Sequence, residues 1–202
     1  MSIFQNTRKP EGVMGKITVS SMNLFHSPVS KWGLKHIEIK PDDAILDIGC
    51  GGGMNIKRML KKCPEGVVIG IDFSPVSVEK SIDLNAKAIK DGKCTIVEGS
   101  VMSLPFRNDS FDIVTAFETI YFWPDLGKAF EQISHVLKNG GTFMICNEIS
   151  GENKRDGMWT DMIDGMNIYS PSHIRALLLK AGFSSVRAWK NNWDYICIKA
   201  VK

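Results

Sequence analysis

The sequence predicts an α/β protein built on an open, mostly parallel β-sheet. From residue 44 onward, short β-rich apolar runs alternate with amphipathic helical segments, an order typical of parallel α/β architecture. The last two β-rich runs, residues 183–189 and 195–201, are joined only by the sequence KNNWD. Such a link is too short to hold a crossover helix, so we expect these two strands to be antiparallel neighbours.

Five further strands are predicted ahead of this pair, each as a short run rich in β-branched and aromatic residues. They are AILDI (44–48), VVIGID (67–72), CTIVEG (94–99), FDIVTAF (111–117) and GTFMICNEI (141–149). With the terminal pair, the sheet is expected to have seven strands.

Helices are predicted between the strands from apolar periodicity and from their end signals. Apolar residues recur at helical spacing over residues 56–63, directly after the first strand. Serine–proline pairs at residues 74–75 and 170–171 each supply an N-cap followed by proline at the first helical position. A further helix begins after Pro124 and is predicted to run to the Asn-Gly pair at residues 139–140.

Two regions stand outside this alternation. Residues 13–39 are predicted to form two short helices, the second opened by Ser27 and Pro28. Residues 150–170 are expected to form a long irregular insertion after the fifth strand. No linker or repeat divides the sequence, so residues 1–202 are interpreted as a single domain with an N-terminal helical cap over residues 1–40.

Composition narrows the class of protein. The 202 residues are 44% hydrophobic and 23% charged, which suits one well-buried core. The net charge of +3, with acids and bases mixed along the chain, gives no strong electrostatic footprint for nucleic acid or an anionic membrane. We therefore expect neither of these partners, and the sequence leaves the oligomeric state open.

Cysteine usage and the N-terminal residues favour a cytoplasmic protein. The five cysteines are odd in number and widely spaced, with no C-x-x-C pair, which argues against a disulfide framework or a zinc cluster and suits a reducing compartment. No metal site is expected. The first residues lack an apolar signal segment, and no later run approaches membrane-spanning length.

The glycine-rich segment ILDIGCGGGM, residues 45–54, is the first functional signal. Four glycines in five positions follow a predicted strand and lead straight into a helix. Each glycine costs roughly 0.5–1 kcal/mol in backbone entropy, and a tight turn alone rarely needs so many. Bare backbone and a helix N-terminus at the carboxyl edge of an open α/β sheet are typical of a nucleotide site.

Neighbouring acids indicate which nucleotide this is. The glycines read G-x-G-x-G, and Met54 stands where the dinucleotide motif has its third glycine. Asp47 precedes Gly49 by two residues, and its carboxylate would repel a pyrophosphate but attract a cationic amino group. Asp72, at the end of the second predicted strand, can accept hydrogen bonds from both ribose hydroxyls. Its alternative role as a turn or capping residue is weakened because Ser74 already serves as the cap.

Five segments in order now carry a specific resemblance. ILDIGCGGG, GIDFSP, VEGSVMSLPF, FDIVTAFETIYFW and LKNGGTFMI resemble the successive motifs of class I S-adenosylmethionine-dependent methyltransferases, in the small methyltransferase type 11 and ubiquinone-biosynthesis-like group. The match runs from about residue 40 to the C-terminus. It implies a three-layer Rossmann-like sandwich with strand order 3-2-1-4-5-7-6 and strand 7 antiparallel. It also implies S-adenosylmethionine as cofactor and S-adenosylhomocysteine as product.

The resemblance implies which residues hold the methionine half of this cofactor. Asp47 would face its amino group, while Gly49, Cys50 and Gly51 would pass beneath the methionine and ribose. Phe117 corresponds to a position whose backbone lines the methionine half.

The adenosine half is assigned in the same way. Asp72 would hold the ribose hydroxyls and Phe73 would lie against the adenine. Ser100 and Val101 would meet the adenine edge. Ser100 departs from the commonest pattern, which has an acid there, although a hydroxyl can still accept a hydrogen bond from the adenine amine.

Three residues are candidates for the catalytic step. Glu118 follows the fourth strand and could orient a cationic acceptor or take its proton, or could equally be a solvated loop residue. Tyr121 is the second candidate, whereas its neighbours Phe122 and Trp123 are predicted mainly to pack in the core. His26 is the third candidate, because in similar enzymes this helical segment folds over the cofactor; a histidine beside an N-cap is more commonly structural.

The methyl acceptor is interpreted as a small molecule. The chain lacks a basic patch with interleaved aromatics, and FETI stands where amino-group methylases of nucleic acids carry an N/D-P-P-Y/F motif. The insertion at 150–170 carries methionines and Trp159, and it is a candidate lid for a partly apolar acceptor; core packing of a helix is an equal alternative. Two other functions stay open, namely a catalytically silent cofactor-binding protein and, less favoured, a nicotinamide-dependent oxidoreductase.

Overall fold

All seven predicted strands are present in the computed structural model, which describes residues 26–153 and 156–202. The strands are β1 (Ala44–Ile48), β2 (Val67–Asp72), β3 (Cys94–Glu98), β4 (Phe111–Phe117), β5 (Leu137–Asn147), β6 (Ser185–Lys190) and β7 (Ile196–Val201). They form a single sheet in the order β3-β2-β1-β4-β5-β7-β6. Strand β7 runs antiparallel to both β5 and β6, and the remaining pairs are parallel. The predicted fold class is confirmed.

Helices connect the parallel strands, except that a loop over residues 99–110 joins β3 to β4, and they cover both faces of the sheet. They are α1 (Ser27–Gly33), α2 (Met54–Leu60), α3 (Pro75–Lys90), α4 (Leu126–Val136), α5 (Gly157–Met162) and α6 (Pro171–Lys180), with a short 3₁₀ turn at Ile120–Phe122. The serine–proline starts of α3 and α6 are confirmed, because Ser74 and Ser170 each accept a hydrogen bond from a backbone N–H in the first turn.

The core consists of one apolar layer on each face of the sheet. Successive residues of a strand point to opposite faces, so Ile45 and Leu46 of β1 are both fully buried but lie in different layers. One layer packs under α4 and α6, and the other packs under α1, α2 and α3. The chain therefore forms the predicted three-layer sandwich.

The end of α4 differs from the prediction. The helix stops at Val136, and Leu137 already pairs with Phe111 as the first residue of β5. Leu137 fits the apolar period of the helix, but its side chain is buried equally well in the sheet. The predicted stop at Asn139 and Gly140 instead marks an irregularity within β5, where Gly140 has φ +77°.

Helix α1 confirms the second of the two helices predicted in the N-terminal region. Pro28 lies in its first turn, and its last residue, Gly33, lies directly against the sheet. A Cβ atom on Gly33 would collide with the Cys146 sulfur of β5. The first predicted helix, and with it most of the N-terminal cap, lies outside the described residues.

The predicted insertion is more regular than expected, because it contains α5. Met158 and Trp159 of this helix are exposed, by 60% and 41% respectively. The chain that follows it is buried, where Ile163 and Met166 pack with Tyr121. The segment thus combines the two alternatives, one part packed on the body of the protein and one part open to solvent. Within the described residues, no helix is both long and apolar enough to cross a lipid bilayer.

Gly53 gives a test of how the glycine loop joins the two helices behind it. Its φ is +76°, and a Cβ there would collide with the Ser81 hydroxyl and crowd the Asn85 amide of α3. Gly92 has a similar φ of +70° but faces open space. We expect Gly92→Ala to lower the free energy of unfolding by about 1 kcal/mol, the cost of the left-handed conformation alone.

Gly53→Ala should lower the free energy of unfolding by at least about 2 kcal/mol more than Gly92→Ala does, because α2 and α3 must also separate. Urea denaturation of both variants beside the parent measures the difference. Equal losses would show that close packing at Gly53 contributes nothing.

Candidate active site

A cavity of about 310 Å³ opens at the carboxyl edge of the sheet. Small-molecule sites have volumes of roughly 300–1,000 Å³, so the cavity can hold an organic ligand. It lies where the strand order reverses between β1 and β4, the place at which open α/β sheets bind ligands. The lining residues follow the ends of the first four strands and are Ile48, Gly49, Ile71, Asp72, Phe73, Gly99, Ser100, Val101, Thr119, Phe122, Trp123 and Pro124.

The glycine loop is shaped by backbone that only glycine adopts readily. Gly49, Gly51 and Gly53 have φ values of +67°, +53° and +76°. At Gly49 a Cβ would also collide with the Thr119 hydroxyl across the cavity floor. The N–H groups of Gly49 and Cys50 both point to the Ile71 carbonyl, at 2.8 and 3.2 Å, which ties the loop to the end of β2.

Asp72 joins the glycine loop to the following turn. One carboxyl oxygen accepts from the Gly51 N–H at 2.8 Å and the other accepts from the Ser74 N–H at 2.9 Å. Burial raises the pKa of this carboxyl, and backbone N–H groups of Ser74, Gly51 and Phe73 oppose that shift. Asp72 therefore takes the turn-stabilising role that the sequence had made the weaker alternative, and it also lines the cavity.

Asp47 lies two residues before the glycine loop, near the carboxyl end of β1. Only 1% of its surface is exposed, and its carboxyl accepts a hydrogen bond of 2.6 Å from the Thr115 hydroxyl on β4. Burial raises the pKa of Asp47 to about 7, the negative charge of Asp72 adds to the shift, and the Thr115 bond opposes it. No lysine or arginine in the described ranges forms an ion pair with Asp47. A ligand carrying a positive charge would supply the missing partner.

The residues predicted to bind cofactor fall into two groups. Five line the cavity directly, namely Gly49, Asp72, Phe73, Ser100 and Val101. Phe73 is 44% exposed and lines the cavity, so part of its surface is available to a ligand.

The other four lie beside or behind the wall. Gly51 is held on Asp72, and Asp47 is buried below the loop. The Cys50 side chain is buried toward α3, where burial raises the pKa of its thiol. The Phe117 ring packs in the apolar layer under α1 rather than on the cavity wall.

The opposite wall was not predicted. Thr119, Phe122, Trp123 and Pro124 line the cavity, although Phe122 and Trp123 were expected to pack mainly in the core. Trp123 does both, because its ring lies edge-on to Phe130 of the core while its indole N–H donates to the Thr119 hydroxyl at 3.3 Å. The signal that could have revealed this wall is its position directly after β4, at the same edge as the glycine loop.

The three predicted catalytic residues, Glu118, Tyr121 and His26, lie close together, and a further acid, Glu148, lies among them. One imidazole nitrogen of His26 and one carboxyl oxygen each of Glu118 and Glu148 lie within 4.8 Å of one another. The Glu118 carboxyl accepts from the Glu148 N–H and is hydrogen-bonded by the Tyr121 hydroxyl, which itself accepts from the Ile149 N–H at 3.1 Å. Glu148 follows β5 and was not singled out from the sequence.

Burial dominates the electrostatics of this cluster. It raises the pKa of Glu118 well above its ordinary value, and the neighbouring Glu148 charge adds to that shift. It also raises the pKa of Glu148 and lowers that of His26. Glu118 keeps some accessible surface, but its carboxyl is enclosed by protein. It is therefore not the solvated loop residue that the sequence left as an alternative.

The fold and the cavity together define a nucleotide-binding α/β protein, and comparison with known proteins gives its family. A model of the methyltransferase domain family matches residues 46–145. A botryococcene C-methyltransferase from Botryococcus braunii is 27% identical over 157 residues, which cover 76% of this chain and 38% of that protein. A 27-O-demethylrifamycin SV methyltransferase from Amycolatopsis mediterranei is 34% identical over 109 residues, which cover 54% of this chain and 40% of that protein.

A solved structure shows the same fold. Phosphoethanolamine N-methyltransferase 2 from Haemonchus contortus, in complex with S-adenosyl-L-methionine, superposes with a TM-score of 0.82 at 16% identity. The superposition covers 100% of this chain and 60% of that one. The chain belongs to the class I S-adenosylmethionine-dependent methyltransferases, and S-adenosylmethionine is the cofactor of that family. It spans about two-fifths of the length of the first two relatives.

Asp47 gives a test of the electrostatics beneath the loop. Because its pKa in the folded protein is raised from 3.8 to about 7, the folded protein holds a proton that the unfolded chain releases between those values. This group therefore lowers the free energy of unfolding as pH rises through that window. Asp47→Asn keeps an oxygen that can accept from Thr115 and removes the ionisation.

We expect the free energy of unfolding of Asp47→Asn, relative to the parent, to be higher at pH 8 than at pH 5. The expected difference is roughly 2 kcal/mol in the absence of ligand. Urea denaturation of both proteins at the two pH values gives the number. A stability difference between variant and parent that is the same at both pH values would contradict a raised pKa at Asp47.

Proposed function

We propose that this chain transfers a methyl group from S-adenosylmethionine to a small-molecule acceptor by in-line displacement. The observation that carries the proposal is the Asp47 carboxyl, buried beneath a glycine loop next to a ligand-sized cavity without a positive partner in the described ranges. The amino group of the methionine half is the cation that suits this position. A nicotinamide dinucleotide would place a pyrophosphate on the same loop, where two buried acids would repel it.

The cofactor residues take their proposed roles along the cavity. Asp47 faces the amino group, and the backbone of Gly49, Cys50 and Gly51 runs beneath the methionine and ribose. Phe117 contributes its backbone at the methionine end, which fits a ring that packs away from the cavity.

The adenosine lies at the other end of the cavity. The Asp72 carboxyl holds the ribose hydroxyls with the acceptor capacity that the Gly51, Ser74 and Phe73 N–H groups leave free. Phe73 stacks on the adenine, and Ser100 and Val101 meet its edge. The position of all four at the carboxyl ends of β2 and β3 supports this assignment.

The reaction itself needs little covalent help from the protein. A lone pair of the acceptor attacks the methyl carbon, the carbon–sulfur bond breaks, and S-adenosylhomocysteine leaves as a neutral thioether. An acceptor that carries a proton releases it during or after transfer. Most of the rate then comes from holding the acceptor in line with the carbon–sulfur bond and excluding water.

The acceptor is held beside Glu118, Tyr121 and His26. Glu118 and Tyr121 follow β4 and His26 precedes α1, next to the position proposed for the methionine half. Glu118 orients the acceptor or takes its proton, and Tyr121 fixes the Glu118 carboxyl. The exposed face of α5 is the lid over a partly apolar acceptor. The relatives are named for small acceptors, botryococcene and 27-O-demethylrifamycin SV, which supports a small molecule here.

Removal of the ribose-binding carboxylate tests the cofactor assignment. We expect Asp72→Ala to abolish binding of S-adenosylmethionine in a calorimetric titration, because both ribose hydroxyls and the loop anchor lose their acceptor. Asp91→Ala, at the far end of α3, is the matched control and should bind like the parent. Circular dichroism shows whether each variant is folded. Unchanged affinity in a folded Asp72 variant would disprove the cofactor assignment, and tighter binding of NAD than of S-adenosylmethionine would favour the oxidoreductase.

Replacement of Glu118 separates the acceptor side from the cofactor side. We expect Glu118→Gln to lower kcat by about tenfold or more, within the range for lost acid–base or orienting groups, while cofactor affinity changes by less than about twofold. Glu152→Gln makes the same chemical change in an exposed acid that pairs with Lys190. Single-turnover methyl transfer with equal rates in Glu118→Gln and the parent would remove Glu118 from the mechanism.

The acceptor is found by following the methyl group. Radiolabelled S-adenosylmethionine is incubated with the protein and a cell extract, which is then fractionated into small molecules, lipid, protein and nucleic acid. Label in the small-molecule fraction supports the proposed function, and label in a macromolecular fraction corrects the acceptor. Tight cofactor binding with no label in any fraction would favour the catalytically silent binding protein.

A further inference from the structure

Three side chains able to ligate a metal converge next to the proposed methyl-transfer site. We propose that His26, Glu118 and Glu148 bind one divalent transition-metal ion. Binding of the ion does not depend on the proposed function. Only contact between the bound ion and a methyl acceptor rests on that function. No metal site was expected from the sequence, and these residues are 92 and 30 positions apart and form no spacing motif.

The arrangement is close to a coordination geometry. One nitrogen and two carboxyl oxygens lie within 4.8 Å of one another. Ligands about 2.1 Å from a tetrahedral ion are separated by about 3.4 Å, so small side-chain rotations bring all three into contact with one ion. Each residue still has a free ligating atom or lone pair, since a carboxyl group offers about four acceptor positions.

Hydrogen bonds to other parts of the protein fix the position of the proposed metal ligands. The Glu118 N–H donates to the Cys146 carbonyl at 3.0 Å, and its carboxyl is held by the Glu148 N–H and the Tyr121 hydroxyl. At His26, the backbone carbonyl accepts from both the N–H and the hydroxyl of Ser30, at 3.1 and 2.8 Å. The contacts on the Glu118 carboxyl orient a ligand before the ion arrives, as is typical of metal sites, whereas those on the His26 carbonyl fix only its backbone.

Charge balance supports a cation at this position. In the ranges 26–153 and 156–202, neither glutamate forms an ion pair with a lysine or arginine. Two carboxyl groups at one half-buried point require a positive partner or remain protonated. A divalent ion satisfies both acids at once, whereas His26 alone offers at most a single charge.

The donor set indicates the kind of ion. Imidazole suits zinc and iron, carboxylates suit manganese and magnesium, and a mixed set of one nitrogen and two oxygens favours Mn²⁺ or Zn²⁺. Three protein ligands leave at least one coordination position for water or for an oxygen atom of the acceptor. The proposed acceptor therefore belongs to the class of molecules that carry a metal-binding oxygen.

Direct titration of the metal-free chain tests the site. Mn²⁺ binding is followed by electron paramagnetic resonance and Zn²⁺ binding by calorimetry, with no cofactor present. We expect one ion per chain and a loss of affinity of about tenfold or more in both Glu148→Gln and His26→Asn. Glu152→Gln, four residues from Glu148 and outside the cluster, should bind the ions like the parent.

Two results would overturn the proposal. One is an absence of saturable binding of either ion by the parent protein, and the other is binding that the folded Glu148 and His26 variants leave unchanged. Circular dichroism checks the fold of each variant, and two independent ligands are tested in case one substitution prevents folding. A protein that binds S-adenosylmethionine but no ion disproves the metal site alone. A protein that binds the ion but transfers no methyl group disproves the proposed function alone.

Discussion

The constraint on which the site depends is a carboxyl group buried in the central strand of the sheet. Asp47 lies beside the glycine loop and β4, and within the described residues its carboxyl accepts a side-chain hydrogen bond from Thr115. An apolar residue would pack there without the cost of desolvating a carboxyl group. The buried carboxyl therefore destabilises the free protein, and a positively charged ligand bound beside it would stabilise the fold. Loss of stability at binding sites is a general consequence of preparing a site for its ligand.

The loop above Asp47 is built to bring backbone close to that ligand. Positive φ angles at alternate glycines turn the chain sharply, and Asp72 anchors the turn through the Gly51 N–H. Gly53 then lets the start of α2 approach α3, whereas a third motif glycine, one position later, would let the helix pack closely on a strand. The loop, the two acids and the cavity are thus one arrangement, in which the sheet edge fixes the position of each part.

Much of the fold could be predicted because local signals and the fold agree. Strands β1 and β4 are mostly apolar, interrupted by Asp47 in the first and by Asp112 and Thr115 in the second, and the five-residue link KNNWD permits only an antiparallel pair. The end of α4 could not be predicted, because Leu137 fits both a helix face and a buried strand position. Leu137 joins the strand because it pairs with Phe111, and the sequence around Leu137 gives no signal of this long-range contact.

The parts of the site that lie within one contiguous motif could be predicted from the sequence. The parts that depend on contacts between side chains far apart in the sequence could not. Asp47, Asp72 and the glycines follow from one segment each. Glu148 was missed because its significance comes only from lying beside Glu118 and His26, which reach it from β4 and α1. Trp123 was placed in the core, and it does pack there, but one side of the same ring also faces the cavity.

The most direct test of the central claim is a pH titration of the Asp47 carboxyl by nuclear magnetic resonance. The protein carries ¹³C-labelled aspartate, and the resonance missing from Asp47→Asn identifies the group. In the free protein the resonance should titrate with a pKa of about 7, and S-adenosylmethionine should lower that pKa by about two units through its amino group. A carboxyl that titrates at its ordinary value in the free protein, or that does not respond to the cofactor, would contradict this account.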